Sequence, residues 1–373
     1  MSPVVSPPST TGSARQVVSN YLPALTGVRA IAAFLVYLHH SNTLEAGQGI
    51  TGFLHDVLLE LHVGVPFFFV LSGFLITLRY YGTQRWNARW WKNYMRNRMA
   101  RIYPMFFLLT TLTFAVEFLH KGLGVLSTWL VNITFLRGFF DDYKYTGVMQ
   151  GWTLPVEECF YLFAPIAFAI LHRRPRLLWV LPLGLIGFGC LLVAVLAPLH
   201  FHGLFGNFKF MILYTFFGRA IEFFTGIQLA IWYRRGLLRP KRGLLTLAGT
   251  VALLALIVLM ILVRGPHTYG LVSPMSIFVN NVILPLGVAL WYAGLLTENT
   301  WLRTLLSTRL FQLLGKSSYV FYLIHMGLLQ YLINRYITTS IPVQFVLLNL
   351  LAIGLYYSIE QPLNKIFRAP SNK

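Results

Sequence analysis

The sequence predicts an all-α, polytopic membrane protein of about ten transmembrane helices with both termini in the cytoplasm. Three observations carry this. Of the 373 residues, 56% are hydrophobic and only 11% charged, with a mean hydropathy of +0.64, whereas soluble domains carry about 25% charged residues. Apolar runs long enough to cross a hydrocarbon core recur along the chain, near 22–41, 61–78, 102–120, 152–171, 177–198, 210–233, 243–263, 275–297, 311–333 and 342–359. The charge pattern is the third. A net charge of +19 would suggest a nucleic-acid partner for a soluble chain, but here Lys and Arg cluster in alternate connections between the runs. Loops 79–101, 172–176, 234–242 and 298–309, with Arg15 and the C-terminal tail, hold 21 of them, and the opposite connections hold six. The positive-inside rule puts the richer side in the cytoplasm. The expected setting is the inner (cytoplasmic) membrane, with the lipid bilayer as partner and no nucleic acid.

Residues 1–20, rich in Ser, Pro and Thr, read as a disordered tail, followed by one transmembrane domain over 21–366 and a short tail over 367–373. Cys159 and Cys190 both lie inside apolar runs, so neither a disulfide framework nor a metal site is expected.

The first run, YLPALTGVRAIAAFLVYLHHS, keeps Arg29 near one end and His39-His40 near the other. Ionisable residues within a span usually face the protein interior or a wet cavity. Arg29 and His40 are eleven residues apart, three helical turns and about 16 Å. They therefore share a face, and His39 points elsewhere. Snorkelling of Arg29, with His40 at the opposite headgroup layer, is the simpler alternative.

In the second run, HVGVPFFFVLSGFLI, Gly64, Ser72 and Gly73 are small enough for close helix packing, and Pro66 loosens the backbone locally. The basic loop that follows predicts an amphipathic helix on the membrane surface, with Trp86, Trp90 and Tyr94 at helical spacing among Arg85, Arg89, Lys92 and Arg96. Its end, Arg98-x-x-Arg101-x-x-Pro104, offers two guanidinium groups suited to phosphate. Positive-inside anchoring would also account for them. Segment 121–151 predicts a short re-entrant or external helix, since a full span would reverse every later orientation. Its Trp129, Phe139, Phe140, Asp141, Asp142 and Tyr143 suit either sugar contacts or an interfacial belt.

The fourth run opens on GWTLPVEECFYLFAP, with Glu157 and Glu158 about one and a half turns inside apolar surroundings, near the end where His40 emerges. A glutamate there needs a partner; it can orient an imidazole, act as acid or base, or pair with an Arg in another span. Arg219 and Glu222, spaced i, i+3, predict an intramembrane ion pair. The ninth run carries Lys316, Ser317 and, deep within it, His325. Glu360 and Pro362 are expected to mark the stop of the last helix.

Taken in order, Arg29 with His40, FFVLSGFLI at 68–76, Arg98-x-x-Arg101-x-x-Pro104, WTLPVEECFYLFAP at 152–165, LGKSSYVFYLIH at 314–325 and IEQP at 359–362 resemble the acyltransferase-3 family of integral membrane acyltransferases. Pro155 departs from the Ser or Gly more usual there. The sequence ends after the tenth run, so the periplasmic SGNH-type hydrolase domain of some members is not expected. The resemblance implies an enzyme that moves an acyl group, usually acetyl, from cytoplasmic acetyl-CoA to a hydroxyl of an envelope or exported carbohydrate. Acetyl-CoA would be a co-substrate, with no bound cofactor. By the same resemblance, Arg29, Arg98 and Arg101 would hold the coenzyme. His40 would act as general base or as an acyl-carrying relay, helped by Glu157 or Glu158. Arg219, Glu222, Ser317 and His325 would be supporting residues. A small glycoside or macrolide-type acceptor is the alternative within the class, and a secondary transporter or flippase the alternative outside it.

Overall fold

The structure is a computed structural model that describes residues 22–83, 87–265 and 270–370. Among these residues helices account for the fold, and the one β-like pairing is an isolated bridge between Phe140 and Leu204. The tail expected over 1–20, and Arg85 and Trp86 of the basic loop, lie outside the described residues.

Seventeen α-helices follow in chain order: α1 Pro23–His40, α2 Gly49–Glu60, α3 Gly64–Tyr80, α4 Ala88–Lys121, α5 Leu126–Ile133, α6 Thr153–Arg173, α7 Val180–Leu196, α8 Phe208–Tyr214 and α9 Phe216–Arg234. Then come α10 Leu244–Val263, α11 Pro274–Phe278, α12 Leu284–Thr297, α13 Trp301–Leu306, α14 Arg309–Ile324, α15 Leu328–Tyr336, α16 Ile341–Leu355 and α17 Gln361–Phe367.

Among the described residues eight helical segments are long and apolar enough to cross a membrane, against the ten expected runs. The two outside that set are the first and the ninth. Arg29 and the His39-His40 pair lower the hydropathy of α1, and α14 has 16 residues before the chain breaks at His325. The two helices pack on each other, and Ser317 and Ser318 of α14 are buried between neighbouring helices.

Three expected boundaries change. The basic surface helix and the third span are a single helix, α4, of 34 residues, about 51 Å at helical rise. Asn87 caps its start by accepting a hydrogen bond from the Trp90 backbone N–H at 2.8 Å, and Pro104 is accommodated inside it. The segment before the second run is helical as α2, joined to α3 through one tight turn at Leu61–Val63. The last helix does not stop at Glu360; it passes through a wide turn over Tyr356–Glu360 and continues as α17, with Pro362 in its first turn, where a proline loses no hydrogen bond.

At the centre α3 lies against α9. A Cβ on Gly73 would sit 2.1 Å from the Phe223 carbonyl oxygen, and one on Gly226 would sit 2.1 Å from that of Val70. Only glycine permits this approach, the small-residue packing that replaces hydrophobic driving force between helices in lipid. α7 and α10 are mostly exposed, as lipid-facing helices should be. Glu298, buried between α12 and α13, accepts hydrogen bonds from the backbone N–H groups of Lys241, Leu245 and Thr246 at 3.1, 3.0 and 2.8 Å. Burial pushes its carboxyl up, but the Thr246 hydroxyl, which donates at 2.7 Å, together with these backbone donors outweighs that and holds it below the usual glutamate value.

The segment between α4 and α6 folds as a cap, with α5 as its one short helix. Arg137 organises it. Its fully buried guanidinium donates to Asn132 Oδ1 and the Thr146 carbonyl at 2.7 Å, and to the carbonyls of Lys144 and Val148 at 2.9 and 3.1 Å. The cap is pinned to α14 by Gln150, whose side-chain amide donates to the Leu323 carbonyl at 2.7 Å.

Candidate active site

His40 is the last residue of α1, and His325 follows the last residue of α14, where the helix breaks before Gly327. The two rings meet: His40 Nδ1 lies 3.0 Å from His325 Nε2. His325 Nδ1 lies 2.7 Å from the Tyr322 carbonyl oxygen. A carbonyl can only accept, so His325 Nδ1 carries the hydrogen, and in a neutral imidazole Nε2 is then an acceptor. His40 Nδ1 must donate to it. His40 Nε2 is left with a lone pair, the arrangement of a base. His325 is 2% exposed, while His40 is exposed to a cavity of about 160 Å3 whose walls include Tyr145, Trp152 and Tyr214. The rings of His39 and His62 lie near, with centroids 4.9 Å from His40 to His39 and 5.6 Å from His39 to His62.

A larger cavity, of about 500 Å3, adjoins it and shares Val65 and Tyr322 as wall residues. Five guanidinium groups line it: Arg29, Arg79, Arg98, Arg101 and Arg368. Arg98 rests over the Tyr80 and Tyr161 rings at 5.6 and 5.8 Å. Deeper in, the hydroxyls of Ser72 and Tyr161 both donate to Glu157 Oε1. The charge distribution favours an anionic, multiply phosphorylated ligand at the arginine end. α1 serves both cavities, Arg29 in the larger and His40 in the smaller, as the shared helical face predicted.

The expected residues are only partly brought together. Among the described residues neither Glu157 nor Glu158 is hydrogen-bonded to His40; Glu157 faces the larger cavity, and Glu158 is buried behind it beside Arg98. Arg29, Arg98 and Arg101 do converge. Arg219 and Glu222 form an ion pair at 2.9 Å, with Arg219 also donating to Asn281 Oδ1 at 2.7 Å on the wall of the smaller cavity. Ser317 turns its hydroxyl back onto the Leu313 carbonyl at 3.1 Å and lines neither cavity.

Sequence reasoning missed Arg79, Arg368, His62, Tyr322 and the aromatic trio Tyr145, Trp152 and Tyr214. Arg79 and Arg368 looked like ordinary positive-inside charges. For the aromatics the only signal was their position beside external connections, and interest went instead to neighbours such as Asp141, which the structure occupies with Lys144 and with Asn207 Nδ2 at 2.7 Å.

A family model described as an acyltransferase domain matches residues 22–360. The chain is also similar to two Staphylococcus aureus proteins named O-acetyltransferase OatA, of strains NCTC 8325 / PS 47 and COL. Each match is 25% identical over 380 residues and covers 92% of this chain. The chain spans 57% of the length of those relatives. No solved structure matches it. The family match takes in every residue that lines the two cavities except Arg368, and on that ground the chain belongs to the acyltransferase-3 family.

Proposed function

We propose that the protein transfers an acetyl group from cytoplasmic acetyl-CoA to a hydroxyl of an envelope or exported carbohydrate. The observation that carries this reading is the His40–His325 pair, which leaves a basic nitrogen facing one cavity while the same helix presents Arg29 to the adjoining arginine-lined cavity. The five arginines are suited to the coenzyme's phosphates, in bidentate contacts that lysines would not reproduce. The pantetheine arm then runs along α1, over a distance of about 16 Å between Arg29 and His40.

At the reacting centre His40 Nε2 takes the proton of the acceptor hydroxyl as its oxygen bonds to the thioester carbonyl carbon. The tetrahedral intermediate collapses by breaking the carbon–sulfur bond, and the leaving thiolate receives that proton from His40. The products are the ester and free coenzyme A. While His40 is charged, its Nδ1–H bond to His325 becomes charge-assisted and stronger. The acceptor enters from the smaller cavity, where Tyr145 and Tyr214 share a hydroxyl–hydroxyl bond of 2.6 Å and Trp152 packs edge-on to Tyr214 at 5.0 Å. Amphipathic rings of this kind suit a sugar.

The test is coenzyme A release from acetyl-CoA by detergent-purified protein, with and without a glycan panel. Wild type should release coenzyme A, and His40→Ala should lower the rate by about 10²-fold or more, the scale of general-base catalysis. Equal rates in both proteins at equal thermal stability would remove His40 from the reaction and bring transport forward.

A further inference from the structure

The two cavities share two wall residues, Val65 and Tyr322. Val65 stands on α3 just before Pro66, and Tyr322 on α14 one turn before His325. The Tyr322 ring is buried, packs edge-on against Phe68 at 5.8 Å, and has its hydroxyl fixed at both ends of the hydrogen-bond inventory. It donates to the Gln150 carbonyl at 3.0 Å and lies 3.2 Å from Thr153 Oγ1. Where the two cavities adjoin, the shared wall is thus one β-branched side chain and one latched ring. The same residue's carbonyl orients His325, so the barrier cannot shift along α14 without disturbing the histidine pair.

From this juxtaposition we infer that Val65 and Tyr322 are the specificity-determining residues for the acyl group, selecting it by cross-section. The inference rests on the reading of the protein as an acyl-CoA-dependent transferase. The acyl group is the leading end of the donor, and it has to pass Val65 and Tyr322 before its carbonyl meets His40. A linear chain presents the same width at any length, whereas a branch at the carbon next to the carbonyl places a second methyl alongside the chain and widens it at that point. Val65 is the fixed jaw, because its β-branched side chain has one strongly preferred rotamer in a helix. Tyr322 is the moving jaw, because its ring turns aside once the two hydroxyl bonds break. Acetyl and straight short acyl groups pass; branched ones do not.

The experiment is coenzyme A release from acetyl-CoA, butyryl-CoA and isobutyryl-CoA by wild type, Val65→Ala and Tyr322→Phe. Butyryl and isobutyryl have the same atoms and differ only in branching, so their ratio isolates width from length. Wild type should favour butyryl over isobutyryl by at least tenfold. Val65→Ala should bring that ratio close to one, with acetyl turnover kept within about threefold. Tyr322→Phe keeps the ring and the backbone carbonyl but loses the latch, and should raise isobutyryl turnover severalfold. An unchanged butyryl-to-isobutyryl ratio in both variants, with acetyl turnover intact, overturns the inference and leaves the transferase reading standing. Absence of turnover with all three donors in wild type overturns the transferase reading, and the inference with it.

Discussion

His325 shows how one side chain decides what its neighbour can do. Its Nδ1 is committed to the Tyr322 carbonyl, so its Nε2 can only accept, and His40 is fixed in the tautomer with a free Nε2. Since His325 is buried and does not line either cavity, it is a positioning residue. Replacing it should lower turnover without changing donor binding: His325→Ala is expected to lose about 10²-fold in kcat, within the range attributed to acid–base groups, at an unchanged KM for acetyl-CoA. His325→Gln should recover part of the loss, because a side-chain carbonyl at the same place can still accept from His40 Nδ1. A rise in KM with kcat unchanged would contradict the assignment. Arg137 is the corresponding structural residue, since its buried guanidinium satisfies the carbonyls of Lys144, Thr146 and Val148 in the cap.

At the scale of elements, the site depends on how closely α1 and α14 approach. A Cβ on Gly315 would lie 2.0 Å from the Thr26 carbonyl oxygen of α1, so this glycine sets the separation, and the histidine pair at the far end inherits it. On another flank of α1, a Cβ on Gly27 would lie 2.2 Å from the carbonyl oxygen of Leu306, the last residue of α13. Gly315→Val should push α14 off α1, lengthen the His40–His325 contact and reduce coenzyme A release to the level of His40→Ala. Thermal unfolding in detergent, compared with Gly354→Val on a face where an added Cβ meets nothing within 4 Å, separates this from general destabilisation. If Gly315→Val retains wild-type turnover, the two helices do not control the pair. The breaks also belong to this scale. Backbone away from helical geometry is tolerated at membrane depth only inside protein or beside a cavity, and the interruption at His325–Gly327 lies where α14 meets the smaller cavity, with Met326 on its wall.

Across the whole molecule, two cavities with different linings are joined through one polar helix. The larger carries five arginines and the smaller carries histidines and aromatic rings. The positive-inside asymmetry of the loops predicts that the arginine end faces the cytoplasm. Single cysteines at Arg239 and Asp142, both exposed and on opposite sides in this orientation, provide a check in a background without Cys159 and Cys190. A membrane-impermeant maleimide should label the Asp142→Cys protein in intact cells and the Arg239→Cys protein only after lysis. The reverse pattern would invert the orientation and with it the donor side.

The sequence by itself determined the class of molecule, the placement of most helices to within a few residues, the charge asymmetry, and the shared face of Arg29 and His40. Each follows from a local rule: apolar length against bilayer thickness, loop charge, and the helical period. It also placed Arg98 and Arg101 beside a helix that continues into the membrane, though not that the two segments are one helix. Only the tertiary structure decided what meets what. His325 lies 285 positions from His40, and no periodicity connects them, so the imidazole's partner is set by the packing of α1 on α14. The glutamates were legible as buried charges needing partners; Tyr161, one turn along α6, meets Glu157 by local spacing, but the packing of α6 against α3 and α4 added Ser72 and the surroundings of Arg98, away from the histidine. The narrow point at Val65 and Tyr322 is likewise invisible along the chain, because a passage is formed by side chains from separate helices and exists only once those helices are packed.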